Sequence, residues 1–173
     1  MAKRELRYLL EMTTKYLVVD MEKMGAPLTI KTEYLQSDIP NASIEVIDRI
    51  NTPFDASLDK QFKDEVKDIF YKACAYVHPS KKQLDEQLAR YASGATIGFE
   101  TAKMLADINQ ATFRTYDIIL TMLFIGYGPS MSGDHFIELF DIQPKWKFHK
   151  GKYVQEYSKL FDYKSERQQK KTT

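Results

Sequence analysis

The apolar period between residues 97 and 127 constrains the fold more than any other feature of the sequence. Apolar side chains recur there at three- and four-residue steps, which places them along one face of a helix. Gly126 and the pair Gly128-Pro129 predict where this helix ends. The positions that keep the period are Phe99, Ala102, Leu105, Ile108, Phe113, Tyr116, Ile119, Leu120 and Leu123. A helix this long with one apolar face predicts a partner layer of other helices.

The same period predicts that partner layer. Apolar stripes favour helices over 2–24, 58–77 and 153–167. Gly25 and Pro27 predict the end of the first of these helices, and Pro79 the end of the second. Short connections between consecutive helices favour antiparallel neighbours, so we predict an all-α helical bundle.

A further helix is predicted to begin directly after Pro79. Ser80 stands three residues before Gln83, which is the spacing of a capping box, and Gly94 predicts the end. Leu84, Leu88 and Tyr91 share one face, and we expect this face to point into the bundle.

Residues 28–50 are the exception to the helical pattern. LTIKTEYL alternates in the manner of a strand, with β-branched residues, and Pro40 interrupts any longer element. The sequence therefore predicts a small β-hairpin or an irregular insertion near 28–50.

Charge divides the chain into two parts. The formal net charge is +1, yet nine Lys and Arg and only three acidic residues lie in 145–173. We predict a helical bundle domain over 1–144 and a basic C-terminal segment over 145–173 with an amphipathic helix. The acidic body and the basic segment would each offer a surface to a partner. The alternative is that the basic segment is a terminal helix whose charges are exposed to solvent and bind nothing.

Several classes of function lack their motifs. The chain has one cysteine, and HExxH, CxxC, P-loop and GxGxxG patterns are absent, so neither a metal nor a cofactor is expected. The apolar run 118–127 is too short to cross a bilayer, so no membrane association is expected. The N-terminus does not read as a secretory signal, and we expect a cytoplasmic protein.

His78 is the candidate for acid–base chemistry. It lies at the predicted C-terminal end of a helix, in YKACAYVHPS, six residues after Lys72. An imidazole beside a cation is a plausible pair for phosphodiester cleavage, because one moves a proton while the other stabilises the charged phosphorane. Alternatively, His78 hydrogen-bonds the last helix carbonyls and packs in the corner before Pro79.

The helix that ends in YVHPS, followed by a capped helix with QLDEQL, resembles the HEPN superfamily of small helical-bundle proteins. The resemblance covers about residues 58–125 and implies a dimeric, metal-independent endoribonuclease of a toxin–antitoxin or antiviral defence system. The family motif is an Arg, four to six residues, and a His. Here Lys72 stands in place of the Arg, and lysine lacks the bidentate fork of a guanidinium. Arg90, in the next helix, is the candidate that would supply it.

A second lead is the segment WKFHKGKYVQEY, in which rings alternate with amines. Proteins bind single-stranded RNA with aromatic rings that stack on the bases and cations that bind the phosphates. The predicted RNA-binding residues are Lys145, Trp146, Lys147, Lys150 and Lys152. The alternative is that the rings pin the segment to the bundle. Two functions therefore stay open: a HEPN-like RNA-binding protein or RNase, and a non-catalytic protein-interaction module such as an immunity protein, an inhibitor or a subunit of a phage or other complex.

Overall fold

The computed structural model describes residues 2–40, 43–77, 80–92, 94, 101–137 and 150–160. The described chain is helical, with no strand. Its elements in order are α1 (Ala2–Glu22), α2 (Leu28–Ser37), a 3₁₀ helix (Glu45–Arg49), α3 (Ala56–Cys74), α4 (Lys81–Ala92), α5 (Ala102–Ile137) and α6 (Lys152–Ser158). The predicted all-α bundle is confirmed.

Helices α1, α3 and α5 form the body of the bundle. The N-terminal end of α1 meets the C-terminal end of α3, where Arg7 Nε lies 3.3 Å from Cys74 Sγ. Near the other end of α1, a Cβ added at Gly126 of α5 would lie 3.2 Å from Leu17 Cδ1. Lys3 of α1 and Lys103, at the start of α5, line the same groove. Helices α1 and α5 therefore run parallel, and α3 runs antiparallel to both.

The core lies between these three helices and the 3₁₀ segment. Its fully buried members come from every one of these elements: Leu10, Val18, Ile44, Ile47, Phe62, Val66, Ile118 and Met122. The apolar stripe of α3 predicts its core positions Phe62 and Val66. On α5 the predicted period misses the buried Ile118 and Met122. Two of its members, Leu105 and Leu123, are 49% and 39% exposed, so the buried face of α5 is rotated from the predicted one.

One feature of the fold differs from the prediction. LTIKTEYL, whose alternation favours a strand, lies in α2, which has no buried residue and packs on α1. The difference arises where a local signal competes with packing on an existing bundle. The predicted stop at Gly128-Pro129 is confirmed, because Gly128 has non-helical angles, with φ of 78° and ψ of 173°, and α5 consists of two helical stretches that meet at this kink.

No helix of the described chain is both long enough and apolar enough to cross a membrane.

Candidate functional site

Helix α4 stands apart from the body of the bundle. Ser80 caps its start by accepting a hydrogen bond from the Gln83 amide at 3.1 Å, as the capping-box spacing predicts. Beyond this cap, Gln83 is the one residue with a described side chain in Lys81–Ala92 that is not exposed. Helix α4 packs extensively on no other element in the described chain. A 12-residue helix is marginal in water without tertiary cover.

The apolar face of α4 points into solvent. Leu84 is 55% exposed, Leu88 56% and Tyr91 69%. We call these three residues the α4 stripe. The prediction that they face inward is wrong: the side chains nearest the body are polar ones, among them Gln83, Glu86 and Arg90. Helix α4 thus presents its polar side to its own chain and its apolar side outward.

A groove of about 540 Å³ separates α4 from the N-terminal ends of α1 and α5. Three helices contribute a cation to its lining, namely Lys3, Arg90 and Lys103. Glu86 and Asp107 line it as well, so its charge is mixed with one positive charge in excess. These charged side chains bind water or an anionic ligand, and they do not bury the apolar side chains of α4.

Tyr76 links the end of α3 to both walls of the groove. Lys3 Nζ donates a hydrogen bond to the Tyr76 hydroxyl at 2.8 Å, and this hydroxyl donates to Glu86 Oε1 at 2.8 Å. The Lys3 ammonium also lies 4.0 Å from the centre of the Tyr76 ring. One polar chain therefore connects α1, the end of α3 and α4.

The structure separates the two cations that the sequence associates with His78. Lys72 is exposed on α3 and pairs with Asp68 at 2.8 Å, whereas Arg90 lines the groove with Tyr76. Lys72 is not among the residues that line the groove. His78 lies outside the described residues, so its predicted role stays a prediction.

The predicted RNA-binding segment is described only in its second half. Lys150 is exposed. Lys152 Nζ donates to Gln61 Oε1 and to the Tyr153 hydroxyl, each at 3.2 Å. Lys152 is therefore tied to α3 through one side-chain hydrogen bond, to Gln61. Lys145, Trp146 and Lys147 lie outside the described residues.

Helix α6 is fixed to the body by a buried carboxylate. Asp117 of α5 accepts hydrogen bonds from the backbone amides of Tyr153 at 3.1 Å and Val154 at 3.0 Å. Burial raises the pKa of Asp117, although these amides lower it in part. The carboxylate thereby satisfies amides at the start of α6 that have no partner within the helix.

The Tyr153 hydroxyl adds a second attachment of α6. It donates to Glu65 Oε2 at 2.8 Å, and Arg114 pairs with Glu65 at 2.8 Å. Burial and the neighbouring Glu65 carboxylate raise the pKa of Tyr153, which stays protonated and able to donate. Residues Lys152–Ser158 therefore contribute to the core, with Tyr153, Val154 and Tyr157 buried.

Sequence reasoning missed the α4 stripe as a surface. Its spacing was visible, but periodicity shows only that three residues share a face and not what covers them.

A scan against family models and searches of curated proteins and of solved structures found no match for this chain. Within the described residues no group of three or more His, Cys, Asp and Glu side chains is placed to hold a metal ion.

Proposed function

We propose that this chain is a protein-interaction module that binds an amphipathic helix of a protein partner along the α4 stripe. The observation that supports the proposal is the orientation of α4, which exposes Leu84, Leu88 and Tyr91 while polar side chains face its own body. An uncovered apolar helix face of this kind is typical of a helix–helix interface.

Burial of the stripe would stabilise both the complex and α4 itself. Full burial of a leucine side chain contributes about 1.5–3 kcal/mol relative to exposure. A facing helix with apolar residues at three- and four-residue steps would cover all three stripe residues together. The gain would also offset the ordering of a short helix that has little tertiary support.

In-cell photo-crosslinking tests this proposal. Leu88 is replaced by benzoyl-phenylalanine in the full chain, and the same probe at Tyr16, an exposed position on α1 (51%), serves as the matched control. We expect a discrete protein adduct from position 88 that Leu84→Glu abolishes, and no such adduct from position 16. Absence of an adduct at position 88, or an equal adduct at both positions, would contradict the proposal.

A second candidate function is RNA binding by a HEPN-like protein, metal-independent and cytoplasmic, in a toxin–antitoxin or antiviral defence system. One observation favours it: Arg90, the residue expected to supply the guanidinium, shares a groove with Lys3 and Lys103. Tyr76, two residues before His78, lines the same groove. Cations from three helices could hold successive phosphates of a single strand.

The salt dependence of RNA binding tests the second candidate. Arg90→Ala and Lys103→Ala should each reduce the slope of log affinity against log salt by about 0.7 for a single strand. Lys60→Ala, an exposed cation elsewhere on α3, should leave the slope unchanged. His78→Ala should abolish cleavage if the chain is an RNase. Equal slopes in all three lysine and arginine variants, or no RNA binding by the wild type, would rule out the groove as an RNA site.

A further inference from the structure

We infer that the helix seated on the α4 stripe is α4 of a second copy of this chain, paired antiparallel. The inference rests on the proposed function and names its partner.

The stripe continues a heptad seam. Lys81, Leu84, Leu88 and Tyr91 follow one another at steps of three, four and three residues. This is the spacing of the a and d positions of a coiled coil, which meet the equivalent positions of a facing helix. Lys81 extends the seam by one position, and its side chain is 91% exposed.

An antiparallel pair makes this seam complementary to itself. With the two-fold axis near Glu86, Leu84 of one copy lies opposite Leu88 of the other. Symmetry repeats this contact on the other side of the axis. Lys81 then lies opposite Tyr91, where an ammonium against an aromatic face is attractive. The side chains that flank the seam are Ser80, Asp85, Gln87 and Ala92. The arrangement brings Asp85 of the two copies together near the axis, and the ion pair of each Asp85 with Lys81 at 3.1 Å on its own helix offsets their repulsion.

A parallel pair lacks this complementarity. In a parallel pair Lys81 of one copy would lie opposite Lys81 of the other, which places two ammonium groups together at one end of the seam. It would also align the two helix dipoles, whereas an antiparallel pair opposes them. Charge therefore favours the antiparallel arrangement.

The size of α4 limits the strength of the pair. A helix of 12 residues is about 18 Å long, and a stable interface buries roughly 800 Å² on each partner. Three partly exposed side chains, Leu84, Leu88 and Tyr91, offer less than this. The dimer is therefore weak and depends on concentration.

Mixed single-cysteine chains test the register. In a Cys74→Ser background, Leu84→Cys and Leu88→Cys chains carrying tags of different mass are oxidised separately and as a mixture. We expect a disulfide-linked dimer that joins the two tags in the mixture and little product in either chain alone. Efficient crosslinking of each chain with itself, or none in the mixture, would overturn the antiparallel pair.

Sedimentation of the unmodified chain is the companion measurement, because it does not depend on cysteine variants. The average mass should rise from 20.2 kDa toward twice that value as concentration increases, and Leu88→Glu should hold it at the monomer. A wild-type chain that stays monomeric throughout would overturn the inference.

The in-cell probe at Leu88 then separates the inference from the proposed function. If the probe captures a different polypeptide, the proposed function survives and the second copy is excluded. If the probe captures nothing, both the proposed function and the inference fail.

Discussion

Asp117 shows how a single residue can fix an element to the rest of the protein. Its carboxylate accepts from two backbone amides at the start of α6, on a segment 36 positions away in sequence. Those amides lie in a buried region, where an amide without a partner costs about 1–3 kcal/mol. The residue therefore supports the packing of α6.

Replacing Asp117 should destabilise the protein far more than replacing an exposed acid of the same helix. Asp117→Ala should reduce the free energy of unfolding by about 1–3 kcal/mol, because two buried amides lose their acceptor. Asp107→Ala, at an exposed position on α5, should change it by less than about 0.5 kcal/mol. Denaturant unfolding measures both, and equal losses would contradict the role of Asp117.

The raised pKa of Asp117 also predicts the sign of a pH effect. The folded chain holds this proton more tightly than the unfolded chain, whose aspartate has the ordinary pKa of about 3.9. The contribution of this group to stability is therefore complete below about pH 4 and is lost as pH rises through the folded pKa. Relative to Asp117→Asn, the wild type should lose free energy of unfolding across that window. A relative gain over the same window would show that the pKa is lowered.

The cations illustrate what a sequence can predict about a site. Spacing along the chain joins Lys72 to His78, yet Lys72 pairs with Asp68 one turn earlier on its own helix. Arg90 is further away in sequence but lies in the groove with Tyr76. Proximity across a turn between two helices depends on how they cross, and no local pattern encodes that angle.

At the scale of elements, the kink in α5 depends on one glycine. Gly128 combines φ of 78° with ψ of 173°, a region that is open almost only to glycine. The carbonyl of Phe124, one turn before it, accepts hydrogen bonds from the Ser132 hydroxyl at 2.7 Å and the Tyr157 hydroxyl at 3.0 Å. Polar side chains thus satisfy a carbonyl at the point where the helix bends.

Gly128→Ala should therefore destabilise the fold through the backbone alone. A Cβ at this position would meet no atom within 4 Å, so the expected loss of about 1–3 kcal/mol comes from the conformation. Gly126→Ala is the control within α5 for a new Cβ on helical backbone, and this Cβ would lie 3.2 Å from Cδ1 of the buried Leu17. Thermal unfolding that finds the two variants equally stable would contradict this explanation.

The sequence predicted elements well where a long apolar period and a clear stop coincide. Helices α1 and α3 lie where their apolar periods predict them, although Leu9 and Tyr16 of α1 are exposed, and the Ser80 cap starts α4 as expected. The pattern failed at α2, because LTIKTEYL satisfies a strand alternation while its backbone is helical and packs on α1. At α4 the helix itself was predicted correctly, but its apolar face was predicted to point into the bundle and is exposed.

At the scale of the whole molecule, the described residues form a well-packed body to which helix α4 is weakly attached. The body buries apolar side chains from α1, α3, α5, α6 and the 3₁₀ segment. Helix α4 is joined to it by polar contacts, among them Tyr76 to Glu86. An element with few buried apolar contacts belongs to the least stable part of a fold, and a partner that covers it would stabilise it by mass action.

Amide hydrogen exchange of the full chain as a function of concentration tests this account most directly. In a dilute sample the amides of α4 should exchange far faster than those around Phe62 and Val66 in α3. In a concentrated sample α4 should gain protection while α3 is unchanged, and Leu88→Glu should remove the gain. If α4 exchanges at the same rate in both samples and in the variant, no second copy covers the stripe and the account is contradicted.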